Sequence, residues 1–83
     1  MKLLTIIIPL YNEKNTILKI IDKIIDLNIE KQIIVVDDCS NDGSRELVLK
    51  NKDKIDNIIL HDKNLGKGAA IRSAQKSIDG KFT

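Results

Sequence analysis

The sequence predicts an α/β domain of three layers, in which a parallel β-sheet lies between helices. Apolar runs recur without the alternation of a half-exposed strand, most clearly in the β-branched run Ile33–Val36, and such runs are typical of strands buried on both faces. Amphipathic segments separate these runs, so strands and helices alternate. That alternation favours a parallel sheet with right-handed crossovers, in the order β-α-β-α-β-α.

The first strand is expected at Leu3–Ile8, which is largely apolar and rich in β-branched residues. Pro9 closes it, because proline cannot donate to a sheet ladder. A helix follows at Thr16–Leu27, where isoleucines and leucines recur on one broad face. Asn15 is expected to be its N-cap.

The second strand is expected at Gln32–Asp37. The turn formers after it lead to a short helix at Ser44–Asn51, which Asp42 can cap. A charged surface connection at 50–57 then precedes a short third strand, expected at Ile58–His61.

The last helix is expected at Lys67–Ile78, and Gly80 is expected to stop it. The three residues after that glycine, Lys81–Thr83, resemble the approach to a fourth strand. The six elements therefore describe a Rossmann-like sheet, and residues 1–83 are expected to be the N-terminal part of a larger domain.

The composition limits the classes of function. A chain of 83 residues makes one small domain. Its net charge of +2 arises from scattered charges of both signs, without a basic stripe and interleaved aromatic residues, so nucleic acid is not an expected partner. The single cysteine, Cys39, allows no internal disulfide, and no zinc-binding spacing occurs. The apolar run that ends at Leu10 is too short to span a membrane and lacks a cleavage site, so we expect a cytoplasmic protein.

Three polar loops follow the three strands, and in this topology they meet at one edge of the sheet. Asp37 and Asp38 end the second strand, where carboxylates could accept hydrogen bonds from a nucleobase or a ribose. Tyr11, in the first loop, could cover a base. The third loop places Lys67 between two glycines at a helix N-terminus, which is a setting that suits a phosphate. The loops together could hold a nucleoside diphosphate.

Structural interpretations of the same residues stand beside this functional one. Tyr11 alone is more often a half-buried residue at a strand end, His61 a half-exposed strand residue, and Lys67 as often a solvated lysine as a phosphate ligand. Ordinary roles as turn formers, small loop residues or surface charges are available to Asn12, Cys39, Asp42, Gly43 and Arg72. Asp37 and Asp38 lack such an explanation, because adjacent like charges at a buried strand end repel unless they are paired.

Other phosphate-binding patterns do not fit. The dinucleotide fingerprint needs a glycine where Ile71 stands, and no P-loop pattern occurs. A response-regulator receiver would place its acidic pair after the first strand, whereas here the pair follows the second.

Three motifs in order resemble the N-terminal motifs of the family 2 glycosyltransferases: IIIPLYNE at 6–13, VVDDCSNDGS at 35–44 and NLGKGAAIR at 64–72. The third is most similar to the branch that transfers a sugar to a polyprenyl phosphate, including dolichyl-phosphate mannosyltransferases. The resemblance spans almost the whole chain. It implies the nucleotide-binding half of a GT-A fold and a hexosyltransferase that uses a UDP- or GDP-sugar, with a polyprenyl or dolichyl phosphate as acceptor.

The resemblance also implies roles for individual residues. Asp38 would contact the uracil or guanine edge, Asp37 would support its loop, and Lys67 would contact phosphate. The full set of implied nucleotide-binding residues is Pro9, Tyr11, Asn12, Glu13, Asp37, Asp38, Ser40, Gly66, Lys67 and Arg72. A lipid phosphate acceptor would place the complete enzyme at the cytosolic face of a membrane.

The family's metal-binding Asp-x-Asp motif and its catalytic residues lie beyond these motifs. The only carboxylate side chain after Lys67 is Asp79, so the ligands for the Mg²⁺ or Mn²⁺ that the family uses are not expected in this segment. Because a diphosphate leaving group needs such a cation, we expect these 83 residues to be inactive alone. Two alternatives stay open: a stand-alone nucleotide-binding or regulatory module, and a structural domain without a ligand.

Overall fold

The computed structural model describes the backbone of residues 4–81 and, apart from positions 67 and 77–81, their side chains. Three parallel strands form one sheet in the order β1-β2-β3. Their bounds are Leu4–Leu10 for β1, Lys31–Asp37 for β2 and Asn57–Leu60 for β3. The parallel sheet predicted from the apolar runs is therefore confirmed.

Three α-helices alternate with the strands. They are α1 at Ile17–Ile25, α2 at Ser44–Lys50 and α3 at Lys67–Lys81. A short 3₁₀ turn, Lys52–Lys54, precedes β3. Within residues 4–81, no helix combines the length and the apolar character needed to cross a membrane.

The central strand β2 is buried on both faces, as its uninterrupted apolar run predicts. Ile33 and Val35 belong to a core with residues of α1 and α2. Ile34 and Val36, which point the other way because strand side chains alternate, pack with alanines of α3. The helices therefore lie on opposite faces of the sheet, and the three-layer prediction is confirmed.

Pro9 does not close the first strand as predicted, because β1 continues through it to Leu10. Among residues 4–81, β1 pairs with β2 alone and is an edge strand. An edge strand tolerates proline, since one side of its backbone has no ladder bonds to supply. Strand β3 lies one residue earlier in the chain than predicted, at Asn57–Leu60 rather than Ile58–His61.

The first helix is shorter than its prediction at both ends. Its N-cap is Thr16 rather than Asn15, and the Thr16 hydroxyl donates to a Glu13 carboxylate oxygen at 3.0 Å. The helix ends at Ile25. Leu27 is exposed, so a longer helix would not bury its side chain.

The N-cap position of α2 belongs to Gly43, one residue later than predicted. The side chain of Asp42 nevertheless accepts the N–H of Ser44 at 2.9 Å, so Asp42 supplies the capping chemistry that the sequence suggested. The helix ends at Lys50, one residue before the predicted end.

The prediction that Gly80 stops the last helix is wrong, because α3 continues through it to Lys81. One glycine inside a helix costs only about 1 kcal/mol relative to alanine, which the rest of a 15-residue helix can absorb. Lys81 is thus helical rather than the start of a strand. Phe82, Thr83 and the side chain of Ile78 lie outside the described part of the chain.

Candidate functional site

The loops that follow the three strands meet at one edge of the sheet. We call residues 11–16 the first exit loop, 38–43 the second and 61–66 the third. A pocket of about 240 Å³ opens there, lined by Pro9, Leu10, Tyr11, Glu13, Asp38, Gly66 and Ala70. Five of the predicted nucleotide-binding residues line it, and the two apolar neighbours come from β1 and α3.

Asp38 lies at the base of this pocket and is 5% exposed. One carboxylate oxygen, Oδ1, accepts the backbone N–H of Leu65 at 2.8 Å, and Oδ2 accepts that of Gly66 at 2.8 Å. Burial alone raises the pKa of the Asp38 carboxyl, but the hydrogen bonds from Leu65, His61 and Gly66 outweigh it and lower this pKa. The carboxylate is therefore ionised at neutral pH and acts as an acceptor only.

His61 is buried beside this carboxylate. Its Nδ1 lies 3.0 Å from Asp38 Oδ1, and its Nε2 lies 2.8 Å from the Ser73 hydroxyl of α3. Its backbone N–H donates to the Asp37 carbonyl at 2.8 Å. The interpretation of His61 as a half-exposed strand residue is wrong. The residue lies beyond the end of β3, and its ring is buried against the Asp38 carboxylate.

Asp37 is fully buried and paired with an arginine. Arg45 Nε lies 2.5 Å from Asp37 Oδ2, and Arg45 Nη2 donates to the His61 carbonyl at 2.6 Å. The hydrogen bond to Asp37 raises the pKa of the Arg45 guanidinium. The N–H of Ser40 lies 3.3 Å from Asp37 Oδ1. The two carboxylates thus have separate partners, and the view that the pair lacks a structural explanation is wrong.

Hydrogen bonds between distant parts of the chain join the first and second exit loops. The N–H of Asn12 donates to the Ser40 hydroxyl at 3.0 Å, and the Asn12 side-chain oxygen accepts the N–H of Asn41 at 2.9 Å. The N–H of Lys14 donates to Asp42 Oδ2 at 3.1 Å. Asn12 has a φ of 50°, a left-handed conformation that asparagine tolerates well. Asn12, Ser40 and Asp37 therefore hold the loops and do not line the pocket.

Gly66 shapes the third exit loop. Its φ of 88° is in the left-handed region, which glycine adopts without steric cost. In this conformation its N–H reaches Asp38. Glycine is therefore favoured at this position by the backbone conformation and not by lack of space, because a Cβ there would have no atom within 4 Å.

The remaining predicted site residues lie at the rim or farther out. Tyr11 lines the pocket and is 45% exposed. Arg72 is an exposed residue of α3, one turn after Gly68, and does not line the pocket. Lys67 begins α3, but its side chain lies outside the described part of the chain, so its predicted phosphate contact remains a prediction.

The described residues do not fit a divalent metal ion. No three His, Cys, Asp or Glu side chains among them could hold one. The carboxylates nearest the pocket base are committed to other partners, Asp37 to Arg45 and Asp38 to two N–H groups and His61.

Sequence reasoning missed Arg45, His61 and Ser73. One signal for Arg45 was available: the chain has two arginines among fourteen basic residues, and arginine is favoured over lysine where a buried carboxylate must be paired. No local signal marks His61 or Ser73, because the contact with Asp38 forms across 23 residues of chain.

The sequence model of Glycosyl transferase family 2 matches residues 5–83. The chain belongs to glycosyl transferase family 2. This match confirms the family that the three motifs suggested. It includes all three exit loops, so the pocket at the sheet edge is built from family 2 sequence throughout.

Curated family 2 relatives include enzymes named for lipid phosphates. A dolichyl-phosphate beta-glucosyltransferase of Trichomonas vaginalis is 30% identical over 95% of this chain and 28% of its own length. An undecaprenyl-phosphate 4-deoxy-4-formamido-L-arabinose transferase of Photorhabdus laumondii is 28% identical over 95% of this chain and 26% of its own length. The family 2 chain described here thus spans about a quarter of these relatives.

A solved structure has the same fold. The mannosyltransferase PcManGT from Pyrobaculum calidifontis, in complex with GDP-Man and Mn²⁺, matches with a TM-score of 0.79 and 25% identity. The match covers 89% of this chain and 24% of that one. It confirms the α/β fold class predicted for this family 2 chain.

Proposed function

We propose that this chain forms the nucleoside diphosphate part of the donor site of a glycosyltransferase. The transferase moves a hexose from a UDP- or GDP-sugar to a polyprenyl or dolichyl phosphate. The observation that carries the proposal is the pocket at the carboxyl edge of the sheet, with the ionised Asp38 at its base and Tyr11 at its rim. Open parallel sheets bind ligands at this edge.

In this proposal each part of the pocket has one task. The free acceptor capacity of Asp38 binds an N–H of the base, and Pro9 and Tyr11 cover the base faces. The exposed Glu13 carboxylate accepts a ribose hydroxyl. The N-terminus of α3, with the positive end of the helix dipole, faces the diphosphate, and Lys67 and Arg72 add positive charge.

The names of the relatives support the lipid phosphate acceptor, and the nucleotide-sugar in the structural neighbour supports the donor class. Such an acceptor would bring the reaction to the cytosolic face of a membrane. These features of the complete enzyme are part of the proposal.

We further propose that the 83 residues bind nucleotide but do not transfer sugar alone. In support, the family resemblance implies an Asp-x-Asp metal-binding motif at the end of the next strand. Asp37 and Asp38, the carboxylates near the pocket base, already have other partners. The divalent metal, when bound, would neutralise charge on the diphosphate leaving group. Incubation of the chain with UDP-glucose or GDP-mannose, Mn²⁺ and a polyprenyl phosphate is expected to give no glycolipid, and any turnover that depends on the chain would contradict this part.

The binding proposal is tested by calorimetric titration of the folded chain with UDP and with GDP. We expect saturable binding of at least one of them, and at least tenfold weaker binding by Asp38→Asn, which replaces one acceptor oxygen by a donor group. Asp53→Asn is the matched control, because Asp53 is an exposed residue of the 3₁₀ turn before β3 and should bind as the unchanged chain does. A structural domain without a ligand predicts no binding at all.

A further inference from the structure

We propose that the site prefers a uracil nucleotide to a guanine nucleotide, because Asp38 has a single acceptor position left for the base. This inference rests on the proposed function and goes further, since both donor classes share the same fold. The structural neighbour binds GDP-Man, which makes guanine the competing base.

The acceptor positions of Asp38 can be counted. An ionised carboxylate has roughly four, two on each oxygen. Oδ1 accepts the N–H of Leu65 at 2.8 Å and faces His61 Nδ1 at 3.0 Å, so both of its positions are taken. Oδ2 accepts the N–H of Gly66 at 2.8 Å and, counting the groups that the structure describes, keeps one position.

The position facing His61 is taken whatever the charge on the imidazole. An ionised carboxylate cannot donate, so His61 Nδ1 must carry the hydrogen that lies between the two groups. The other ring nitrogen faces the Ser73 hydroxyl at 2.8 Å, and a hydroxyl can either accept from a protonated Nε2 or donate to an unprotonated one. The contact with Ser73 therefore suits either charge state of the ring, and the Asp38 carboxylate by itself requires Nδ1 to be the donor.

The two bases differ in the number of donors that they present. Uracil has one ring N–H, N3–H, between two carbonyl oxygens, and one free position on Oδ2 satisfies it. Guanine presents N1–H beside its 2-amino group, and this pair needs an acceptor on each carboxylate oxygen. With Oδ1 filled, guanine would leave one donor unpaired in the pocket, a loss that corresponds to about tenfold in affinity.

Titration of the folded chain with four nucleotides tests the inference without any substitution. UDP is expected to bind about tenfold or more tightly than GDP. N3-methyl-UDP, in which the only N–H donor of the uracil base is blocked, is expected to bind at least tenfold more weakly than UDP. Inosine diphosphate lacks the 2-amino group and is expected to bind at least as tightly as GDP, because that group has no acceptor here.

The results separate this inference from the proposed function. Two results would overturn the base preference: GDP binds as tightly as UDP, or GDP binds tenfold more tightly than inosine diphosphate. Either result would leave the proposed nucleotide binding in place. Failure of all four nucleotides to bind would overturn the proposed function itself.

A variant tests the role of the histidine. His61→Ala removes the ring that fills the second position on Oδ1 and leaves space there, so the ratio of UDP to GDP affinity is expected to fall at least threefold. Ser73→Ala keeps the Nδ1 donor and should keep the ratio. Because the ratio cancels any general loss of folded chain, an unchanged ratio in His61→Ala would overturn the acceptor count as the cause.

Discussion

Arg45 joins two strand ends through one side chain. Its guanidinium donates to the buried Asp37 at the end of β2 and to the carbonyl of His61 just beyond β3. The carboxylate is inaccessible to water, whereas the arginine side chain is 28% exposed. The arginine thus stabilises a charge that the fold would otherwise have to hold without an opposite charge beside it.

Replacing that arginine should be costly. Arg45→Leu leaves Asp37 buried and unpaired, and removing one partner of a buried ion pair costs about 3 kcal/mol. We expect a loss of this size in the free energy of unfolding, measured with urea. The double variant Asp37→Asn with Arg45→Leu should recover part of the loss, because it removes the unpaired charge, and equal stability of the single and double variants would contradict this account.

The lowered pKa of Asp38 makes the fold sensitive to acid. The hydrogen bonds to Asp38 lower its pKa by more than burial raises it. The pKa of Asp42 is also lowered, and the largest cause is the hydrogen bond that its carboxylate accepts from the Ser44 side chain. A carboxyl with a folded-state pKa below its unfolded value, about 4, stabilises the fold above that value and loses the contribution as the pH falls through the folded-state pKa. We expect the contribution of these two carboxyls to the free energy of unfolding to be constant above about pH 5 and to fall below about pH 4.

Urea unfolding between pH 3 and pH 7 measures this dependence. The Asp38→Asn variant, which cannot titrate at this position, should show a shallower fall in acid than the unchanged chain. An identical slope in the two proteins would assign the acid sensitivity to other carboxyls.

At the level of elements, two glycines at the start of α3 differ in backbone conformation and are expected to respond differently to substitution. Gly66 has a positive φ, whereas Gly68 is helical and a Cβ there would meet Arg72 Nη1 at an ordinary 3.5 Å. Gly66→Ala should cost about 1 kcal/mol through backbone strain, and Gly68→Ala should gain about 0.5 kcal/mol through lower unfolded-chain entropy. Urea unfolding of both variants checks the opposite signs, and destabilisation of equal size at both positions would contradict them.

The existence and order of the elements could be predicted from the sequence, and several boundaries could not. The run Ile33–Val36 marks a strand buried on both faces whatever its neighbours are. Whether Pro9 ends a strand depends instead on which strand lies beside it, and whether Gly80 ends a helix depends on the rest of that helix. Such facts belong to the tertiary structure, which no short window of sequence contains.

The candidate site divides in the same way. The sheet edge and the residues lining its pocket follow from topology, since strand exits of a parallel sheet share one edge. The partners of the two acids do not follow, because Arg45 and His61 reach them from other elements. The sequence therefore predicts where the site lies better than how each carboxylate is held.

At the level of the whole molecule, ligand binding should raise thermal stability. A nucleotide that binds only the folded chain, present at 100 times its Kd, adds about 2.7 kcal/mol, which in a domain of this size raises the Tm by on the order of 10 °C. Differential scanning fluorimetry with the preferred nucleotide measures the shift. Asp38→Asn should show a much smaller shift at the same concentration, and equal shifts would indicate binding elsewhere.

The hydrogen bonds from Leu65 and Gly66 to Asp38 place two loop amides against a buried acceptor. Amides in irregular loops commonly exchange with deuterium quickly, whereas these two can exchange only when the third exit loop separates from the carboxylate. Two slowly exchanging amides are therefore expected outside all helices and strands. Their exchange rates would report how often the pocket at the sheet edge opens in the chain without any ligand.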